Sequence, residues 1–329
     1  MPKILRVVSI LSVLSLLIFG YQNCGKMSAV DGSGPTSNSP QGVVANAVDF
    51  MGMRDGETYT LNQDVNLGGQ VISRTFTGVK LIGNGHTVTG ILAQCRQPHD
   101  CKVNSGRDFY ISALSFEGSE ISDINFEISA DVSKFPTDND DITAVNFTRF
   151  DSSKIARVNI VARISGTHSY QTGDNRFFVS VLGSASSTME DVSVKLSGNV
   201  VLNAPMIVGT ETVGENWGST LTRVTAESEV TWRPMVAGTS FTAEAIGSLN
   251  QGTVQESSIH DKLIVQANGL TFKSLVSGAP YASGKILNTQ ILTETNFTPD
   301  KVELLQNQNY NGFTVDKTGS FHTHQLIDD

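Results

Sequence analysis

The sequence predicts an all-β fold, a right-handed parallel β-helix built from a repeat of about 33 residues. The first observation is a recurring phrase, in which an aliphatic residue and a polar pair lead into a strand. The phrase begins at Ile121, Ile155, Met189, Leu221, Val254 and Ile286, so that successive starts lie 34, 34, 32, 33 and 32 residues apart. A fixed period of this size is typical of solenoids, in which each unit buries its apolar face against its neighbours.

The second observation is an alternation of apolar residues after each start. Successive side chains of a strand point to opposite faces, so the third and fifth residues after each start are expected on one inward face. These pairs are Ile124 and Phe126, Val158 and Ile160, Val192 and Val194, Val224 and Ala226, Ser257 and Ile259, and Thr289 and Ile291. A second strand precedes each phrase. Stacked coils therefore form parallel sheets, and the crossover rule predicts the right hand.

The third observation is the residue two places after each start. This column contains Asp123, Arg157, Asp191, Arg223, Glu256 and Asn288. With the coils in register, opposite charges face each other along most of the column, which predicts a charge ladder on one edge. Exposed ion pairs contribute only about 0–1 kcal/mol each, so the ladder is expected to fix the register more than the stability.

The N-terminal part of the domain is predicted to close the first coil. Residues 43–53 have helical apolar spacing, which predicts a short capping helix over an otherwise unpaired sheet edge. The turn Gly83-Asn84-Gly85 follows in the first coils. This part resembles pectin-lyase-like β-helices, and the units at Val208-Gly209 and Ile246-Gly247 resemble the GLUG repeats of bacterial surface proteins. The resemblance covers most of residues 43–300. A β-propeller is the alternative, but its blades need about 40–45 residues.

Residues 1–23 are predicted to be a signal peptide. Lys3 and Arg6 precede an apolar run over residues 7–19, which is too short to cross a bilayer of about 30 Å. The stretch around Cys24 resembles lipoprotein leaders of predatory Gram-negative bacteria, which implies a cysteine carrying diacylglycerol and palmitate. Asn23 departs from the small residue usual before that cysteine, and an ordinary signal peptide is the alternative. Gly25 resembles outer-membrane sorting signals, which implies a lipid anchor in the cell outer membrane, with the periplasmic or external face left open.

The rest of the chain is divided into a tether and one domain. Residues 24–42 are rich in Ser, Gly, Pro and Asn, which predicts a flexible tether, and residues 43–329 form the β-helix domain. Removal of the leader leaves 23 − 2 = 21 basic residues against 32 acidic ones, a net charge of about −11. A charge of this sign argues against nucleic acid as a partner.

Two further cysteines, Cys95 and Cys101, remain once Cys24 is assigned to the lipid. An even number in an oxidising compartment predicts a disulfide between them, which closes a small local loop. The alternative is a metal site that uses both sulfurs and His99, but one tight loop offers no fourth ligand.

The sequence contains no recognisable set of catalytic residues. The pectin-degrading hydrolases of this fold carry Gly-His-Gly and Arg-Ile-Lys motifs, and neither is present here. Lyases of this fold use Arg or Lys as the base, but nothing in the sequence distinguishes Arg149, Arg163 and Arg176 from ordinary surface arginines. The acidic loop with Asp138, Asp140 and Asp141 offers the hard oxygen ligands that calcium prefers. A solvated loop without a cofactor is the favoured interpretation.

Two tryptophans, Trp217 and Trp232, are candidates for glycan binding because flat aromatic faces stack on sugar rings. Packing of these rings against a neighbouring coil is the favoured interpretation. We therefore expect a lipid-anchored cell-envelope or surface protein, which presents a rigid β-helix face to a polysaccharide or another cell's surface. A non-enzymatic role is favoured. The alternatives are a polysaccharide lyase or glycoside hydrolase of the pectin-lyase-like fold, and a purely structural envelope protein.

Overall fold

A computed structural model describes thirteen segments of the chain. These are residues 42–95, 102–103, 108–135, 142–169, 176–203, 207–236, 239–246, 249–266, 271–277, 284–296, 301–305, 314–315 and 321–327. The predicted signal peptide and all but the last residue of the predicted tether lie outside them, and so does Cys24.

The described residues form a parallel β-solenoid, which confirms the predicted fold class. Sixteen strands make up sheet 1: β1 Val43–Val44, β2 Thr58–Leu61, β3 Val65–Val71, β5 Lys80–Ile82, β6 Thr87–Leu92, β9 Glu120–Asp131, β11 Lys154–His168, β13 Thr188–Leu202, β15 Thr220–Thr222, β16 Thr225–Pro234, β19 Thr253–Gln255, β20 Ser258–Val265, β22 Lys285–Leu287, β23 Gln290–Thr295, β25 Thr314–Val315 and β26 Phe321–Leu326.

Ten strands make up sheet 2: β4 Thr75–Thr77, β7 Lys102–Val103, β8 Asp108–Glu117, β10 Ile142–Asp151, β12 Arg176–Ala185, β14 Ile207–Trp217, β17 Ser240–Ile246, β18 Leu249–Asn250, β21 Thr271–Ser277 and β24 Lys301–Leu305. The ladders of both sheets are parallel, except that β7 pairs with β8 in the antiparallel sense. The chain alternates between the two sheets, and each sheet adds strands along the stacking direction.

The register agrees with the repeat read from the sequence. Val158 on β11 pairs with Ile124 on β9 and with Val192 on β13, at sequence separations of 34 residues. All three side chains are buried in the lumen of the solenoid. The polar members of the same series are buried too, as the alternation predicts. The Ser257 hydroxyl accepts a hydrogen bond from Val224 N at 3.0 Å and donates to Gln255 O at 2.7 Å, so its burial leaves no unpaired hydroxyl.

The capping helix α1 spans Ala47–Met51, so the prediction over residues 43–53 is confirmed over a shorter range. Asn46 begins the helix, because its side-chain oxygen accepts hydrogen bonds from the amides of Val48 and Asp49. The preceding residues form strand β1 instead. Phe50 of the helix packs against Phe76 of the first coils, with ring centroids 5.8 Å apart.

The charge ladder predicted from the third observation is confirmed. The Arg157 guanidinium donates to both carboxylate oxygens of Asp123, at 2.6 and 2.8 Å, and lowers the pKa of that carboxyl. Arg223 donates to Asp191 at 2.7 Å and lies 3.6 Å from Glu256. The residues of the ladder share a backbone conformation that the sequence did not reveal, with φ between 44° and 56° at Asp123, Arg157, Asp191, Arg223, Glu256 and Asn288. The ladder therefore marks a corner at which every coil turns.

Candidate functional site

The outer face of sheet 2 is concave at the middle of its strands. In β10, Phe147 and Thr148 are consecutive and both fully buried, which interrupts the alternation and bends the strand. Outward side chains on the two sides of the bend converge, as the hydroxyls of Ser112 and Ser115 do in β8 at 2.7 Å. The bend therefore brings outward side chains of successive coils into one shallow cleft.

Five side chains of this cleft, which we name the polar cluster, bind one another: Tyr110, Asn146, Arg149, Asp151 and Ser180. The Ser180 hydroxyl donates to the side-chain oxygen of Asn146, and the Asn146 amide donates to the Tyr110 hydroxyl. Asn146 and Ser180 are each only 4% exposed, although they point outward. Outward polar side chains that are buried and hydrogen-bonded are held in one conformation.

Arg149 extends the polar cluster toward the end of the strand. Its Nε donates to Asp151 Oδ2 at 2.9 Å, and its Nη1 donates to the Tyr110 hydroxyl at 3.4 Å. The Arg149 side chain is 18% exposed. The interpretation of Arg149 as an ordinary surface arginine is therefore wrong. Asp151 and Tyr110 fix its guanidinium group, and only part of the side chain reaches solvent.

Small residues separate the polar cluster from an exposed tryptophan. The register of sheet 2 aligns Asp151 with Ala185 and Ala185 with Trp217, and it aligns Arg149 with Gly183. Gly183 and Ala185 thus form a low floor in one coil. Parallel strands lie about 4.8 Å apart, so the backbones that carry Asp151 and Trp217 are about 10 Å apart.

Trp217 is 51% exposed, at the last position of β14. Its backbone is fixed on both sides, because its carbonyl accepts from Ser186 N at 2.7 Å and an isolated bridge joins it to Gln251. Gly218 follows with φ of 67°, a conformation that glycine adopts without strain and that turns the chain into the next face. An exposed aromatic ring therefore stands on a rigid corner.

A second aromatic side chain borders the same cleft. Phe178 of β12 is partly buried and lies across Gly209 of the next coil. A Cβ atom at Gly209 would lie 2.4 Å from the Phe178 ring, so only glycine leaves room for this arrangement. The cleft consequently has apolar rings at two of its borders and polar groups along its bend.

Trp232, the other tryptophan proposed for glycan binding, is not at the surface. Its side chain is fully buried, and its ring packs against Phe177 at 5.9 Å and Phe241 at 6.2 Å. A ring enclosed in the lumen cannot stack on a sugar, so this candidate is corrected to a core residue. The alternation of β16 explains the burial, because Ala226, Val230 and Trp232 lie on the same inward face.

The remaining sequence candidates fall mostly outside the described residues. Asp138, Asp140 and Asp141 of the proposed calcium loop lie there, as does Cys101. Cys95 is buried and disulfide-bonded. The pairing with Cys101 stays a prediction.

The described segments bear on metal binding and on membrane insertion. Within these segments, no three His, Cys, Asp or Glu side chains are placed to hold a metal ion. In the same segments, no helix has the length and apolar character needed to span a bilayer.

A second concave region lies on sheet 1, between the charge ladder and the corner after sheet 2. It is an open trough of about 630 Å³ lined by residues of β5, β9, β11, β13 and β15. Its charged side chains pair with each other at the surface, where Glu120 lies 3.3 Å from Lys80 and 3.7 Å from Lys154. Exposed pairs of this kind are weakly held, so the cleft on sheet 2 is the better-ordered site.

Comparisons with known proteins add little to this geometry. No protein-family model matches the chain, and no curated protein sequence matches it. A solved structure described as "L. reuters 100-23 SRRP" is similar over 88% of this chain and 100% of its own, with 12% sequence identity and a TM-score of 0.23. A likeness of that size supports no argument about function.

Proposed function

We propose that the protein is a lipid-anchored envelope protein that binds a glycan, without catalysis, in the cleft on sheet 2. The observation that supports the binding role is the rigid polar cluster facing a half-exposed Trp217 across the floor of Gly183 and Ala185. Side chains that are already ordered lose little conformational entropy when a ligand binds, and this preorganisation raises affinity.

The chemistry of the cleft suits a sugar. A pyranose ring has one apolar face, which stacks on a flat aromatic side chain such as Trp217. Its hydroxyl groups need donors and acceptors in fixed directions, and the partly exposed members of the polar cluster, Tyr110, Arg149 and Asp151, supply both. A few placed polar groups beside apolar surface are the usual composition of a small-molecule site.

The anchor and its location rest on the leader sequence. Cys24 would hold the protein in the outer membrane, and residues 24–42 would keep the domain clear of the lipid surface. The proposed ligand is therefore a polysaccharide of the envelope or of another cell's surface.

The test is glycan binding by the full-length protein in detergent, with Trp217→Ala as the variant. Binding should weaken about five- to thirtyfold, because truncation of a tryptophan that stacks on a ligand costs about 1–2 kcal/mol. Met235→Ala is the matched control. Met235 is also exposed, at 67%, but it follows β16 of sheet 1, whereas the cleft is on sheet 2. Its loss should therefore not change the affinity.

Two results would contradict the proposal. Equal affinity of the Trp217→Ala variant and the wild type would remove the cleft from the binding site. Release of shortened sugar chains during the assay would establish the enzymatic alternative in place of a binding module.

A further inference from the structure

A buried carboxyl group lies in the lumen of the later coils. Asp261 on β20 is 4% exposed and points inward between Ile259 and Leu263. Its Oδ1 accepts a hydrogen bond from the Ser228 hydroxyl at 2.9 Å and another from the Thr212 hydroxyl. Its Oδ2 is buried and has no hydrogen-bond partner among the described residues. One oxygen is thus satisfied and the other is not.

Asp261 replaces an aliphatic side chain in its column. The register aligns it with inward residues of successive coils, in the order Ile128, Ala162, Leu196, Ser228, Asp261 and Thr293. The lumen therefore changes from apolar to polar near β16. Coils of this part of the solenoid bury less apolar surface and are expected to be the easiest to open.

No cationic side chain faces Asp261 within the described part of the lumen. The charged residues of its own strand and of the strands packed against it alternate outward: His260 and Lys262 on β20, Glu227, Glu229 and Arg233 on β16, Glu294 on β23, and Glu211 on β14. The described inward side chains of β17 are apolar. His324 of β26 occupies the same register column two coils beyond Asp261.

We propose that Asp261 is a proton-operated lock, which as a neutral acid holds β16, β20 and β23 together and which on ionisation loosens these coils. An ionised carboxylate in the lumen would be a buried charge without a partner, and such a charge costs several kcal/mol unless it is neutralised. A protonated Oδ2 also becomes a donor, which lets the unpaired oxygen bond to a neighbouring acceptor. Burial raises the pKa of Asp261 to about 6, so the lock would operate between acidic and neutral pH.

The experiment is amide hydrogen exchange of the full-length protein at pH 5 and pH 8, corrected for intrinsic exchange rates. In the wild type, protection over Ser258–Val265 and Gln290–Thr295 should fall by up to about 100-fold at pH 8, because folding raises the pKa of Asp261 from 3.8 to about 6. Asp261→Asn keeps an oxygen acceptor for both hydroxyls and should remove this dependence on pH. Asp123→Asn, on the exposed ladder, is the matched control and should leave it unchanged.

A second variant keeps the proposal testable if Asp261→Asn does not fold. Ser228→Ala removes a donor that stabilises the carboxylate, so the loss of protection should begin at a higher pH. Equal protection of the wild type at pH 5 and pH 8 would overturn the proposal. Recovery of protection at pH 8 on addition of sodium or calcium ions would overturn it as well, because a bound cation would then neutralise Asp261.

Discussion

A buried histidine offers a quantitative test of the packing around the lumen. His168, at the end of β11, is fully buried, and its ring contacts Phe135 at 6.2 Å and Phe177 at 5.2 Å. Its Nδ1 lies 3.2 Å from Val132 O, which fixes the ring against the 3₁₀ turn Val132–Lys134. Burial disfavours the charged imidazolium and lowers the pKa of His168 to about 4.

The effect on stability follows from the direction of this shift. Between pH 6.5 and about 4 the unfolded chain binds a proton at His168 and the folded protein does not, so the free energy of unfolding falls as the pH falls. A pKa lowered from 6.5 to about 4 corresponds to about 3 kcal/mol of stability, which is fully present above pH 6.5 and lost near pH 4. Asp261 has the opposite effect on stability in nearly the same range of pH, because its raised pKa makes the folded state more stable in acid. The two contributions oppose each other in the wild-type curve, so variants are needed to separate them.

We expect the effect of His168→Phe on the free energy of unfolding to change sign with pH. The phenyl ring keeps the aromatic contacts but leaves Val132 O without its donor, which costs about 1–2 kcal/mol. At pH 8 the variant should be less stable by about that amount. At pH 4, where the wild type has lost about 3 kcal/mol at this residue, the variant should be the more stable by about 1–2 kcal/mol.

The measurement is urea unfolding at several pH values, followed by circular dichroism. The two curves of stability against pH should cross between pH 4 and 6.5, with unchanged slopes of the unfolding free energy against urea concentration. If the difference between variant and wild type is the same at every pH, His168 is not a buried neutral imidazole and the account of this packing fails.

Two other predictions concern the stacking of the coils and the anchor. Gly198→Ala should destabilise the protein by at least about 1–3 kcal/mol in urea unfolding, because the added Cβ would lie 1.9 Å from Ile164 O of the adjacent coil; Gly183→Ala, whose Cβ would meet nothing closer than 3.5 Å, is the control, and equal effects would contradict the register. Cys24→Ala should move the protein from the membrane fraction to the soluble fraction and abolish the lipid mass increment; retention in the membrane would refute the lipid anchor.

The repeat could be predicted from the sequence because one physical constraint acts on every coil. Ile124, Val158 and Val192 must each fill the same place in the lumen, so the spacing of the apolar residues records the register directly. The charge ladder was predictable for the same reason. Its positive φ values were not, since Asp and Asn tolerate this conformation but Arg and Glu give no local signal for it.

The burial of Trp232 agrees with the favoured interpretation of this ring as packed against a neighbouring coil, and the alternation of its strand was enough to exclude the binding role. The tryptophan continues the inward face that begins at Ala226, and the alternation alone places it in the lumen. Residue type suggested a binding role, whereas position decides whether a ring reaches solvent. Trp217 has the same residue type but ends its strand at a corner, and it is exposed.

The polar cluster could not be derived from the repeat, because it depends on a break in the alternation. Thr148 is as buried as Phe147, and its hydroxyl donates to Val181 O of the next coil at 2.6 Å. From the sequence, a threonine in a strand is expected at the surface. The sequence therefore does not indicate that Thr148 is buried or that sheet 2 bends there. The glycines at 183 and 209 were the available sign of the cleft. Glycine weakens a strand, so at an outward position it indicates that another group lies close against the backbone. In this cleft a neighbouring ring lies across Gly209, and we propose that a sugar lies across Gly183.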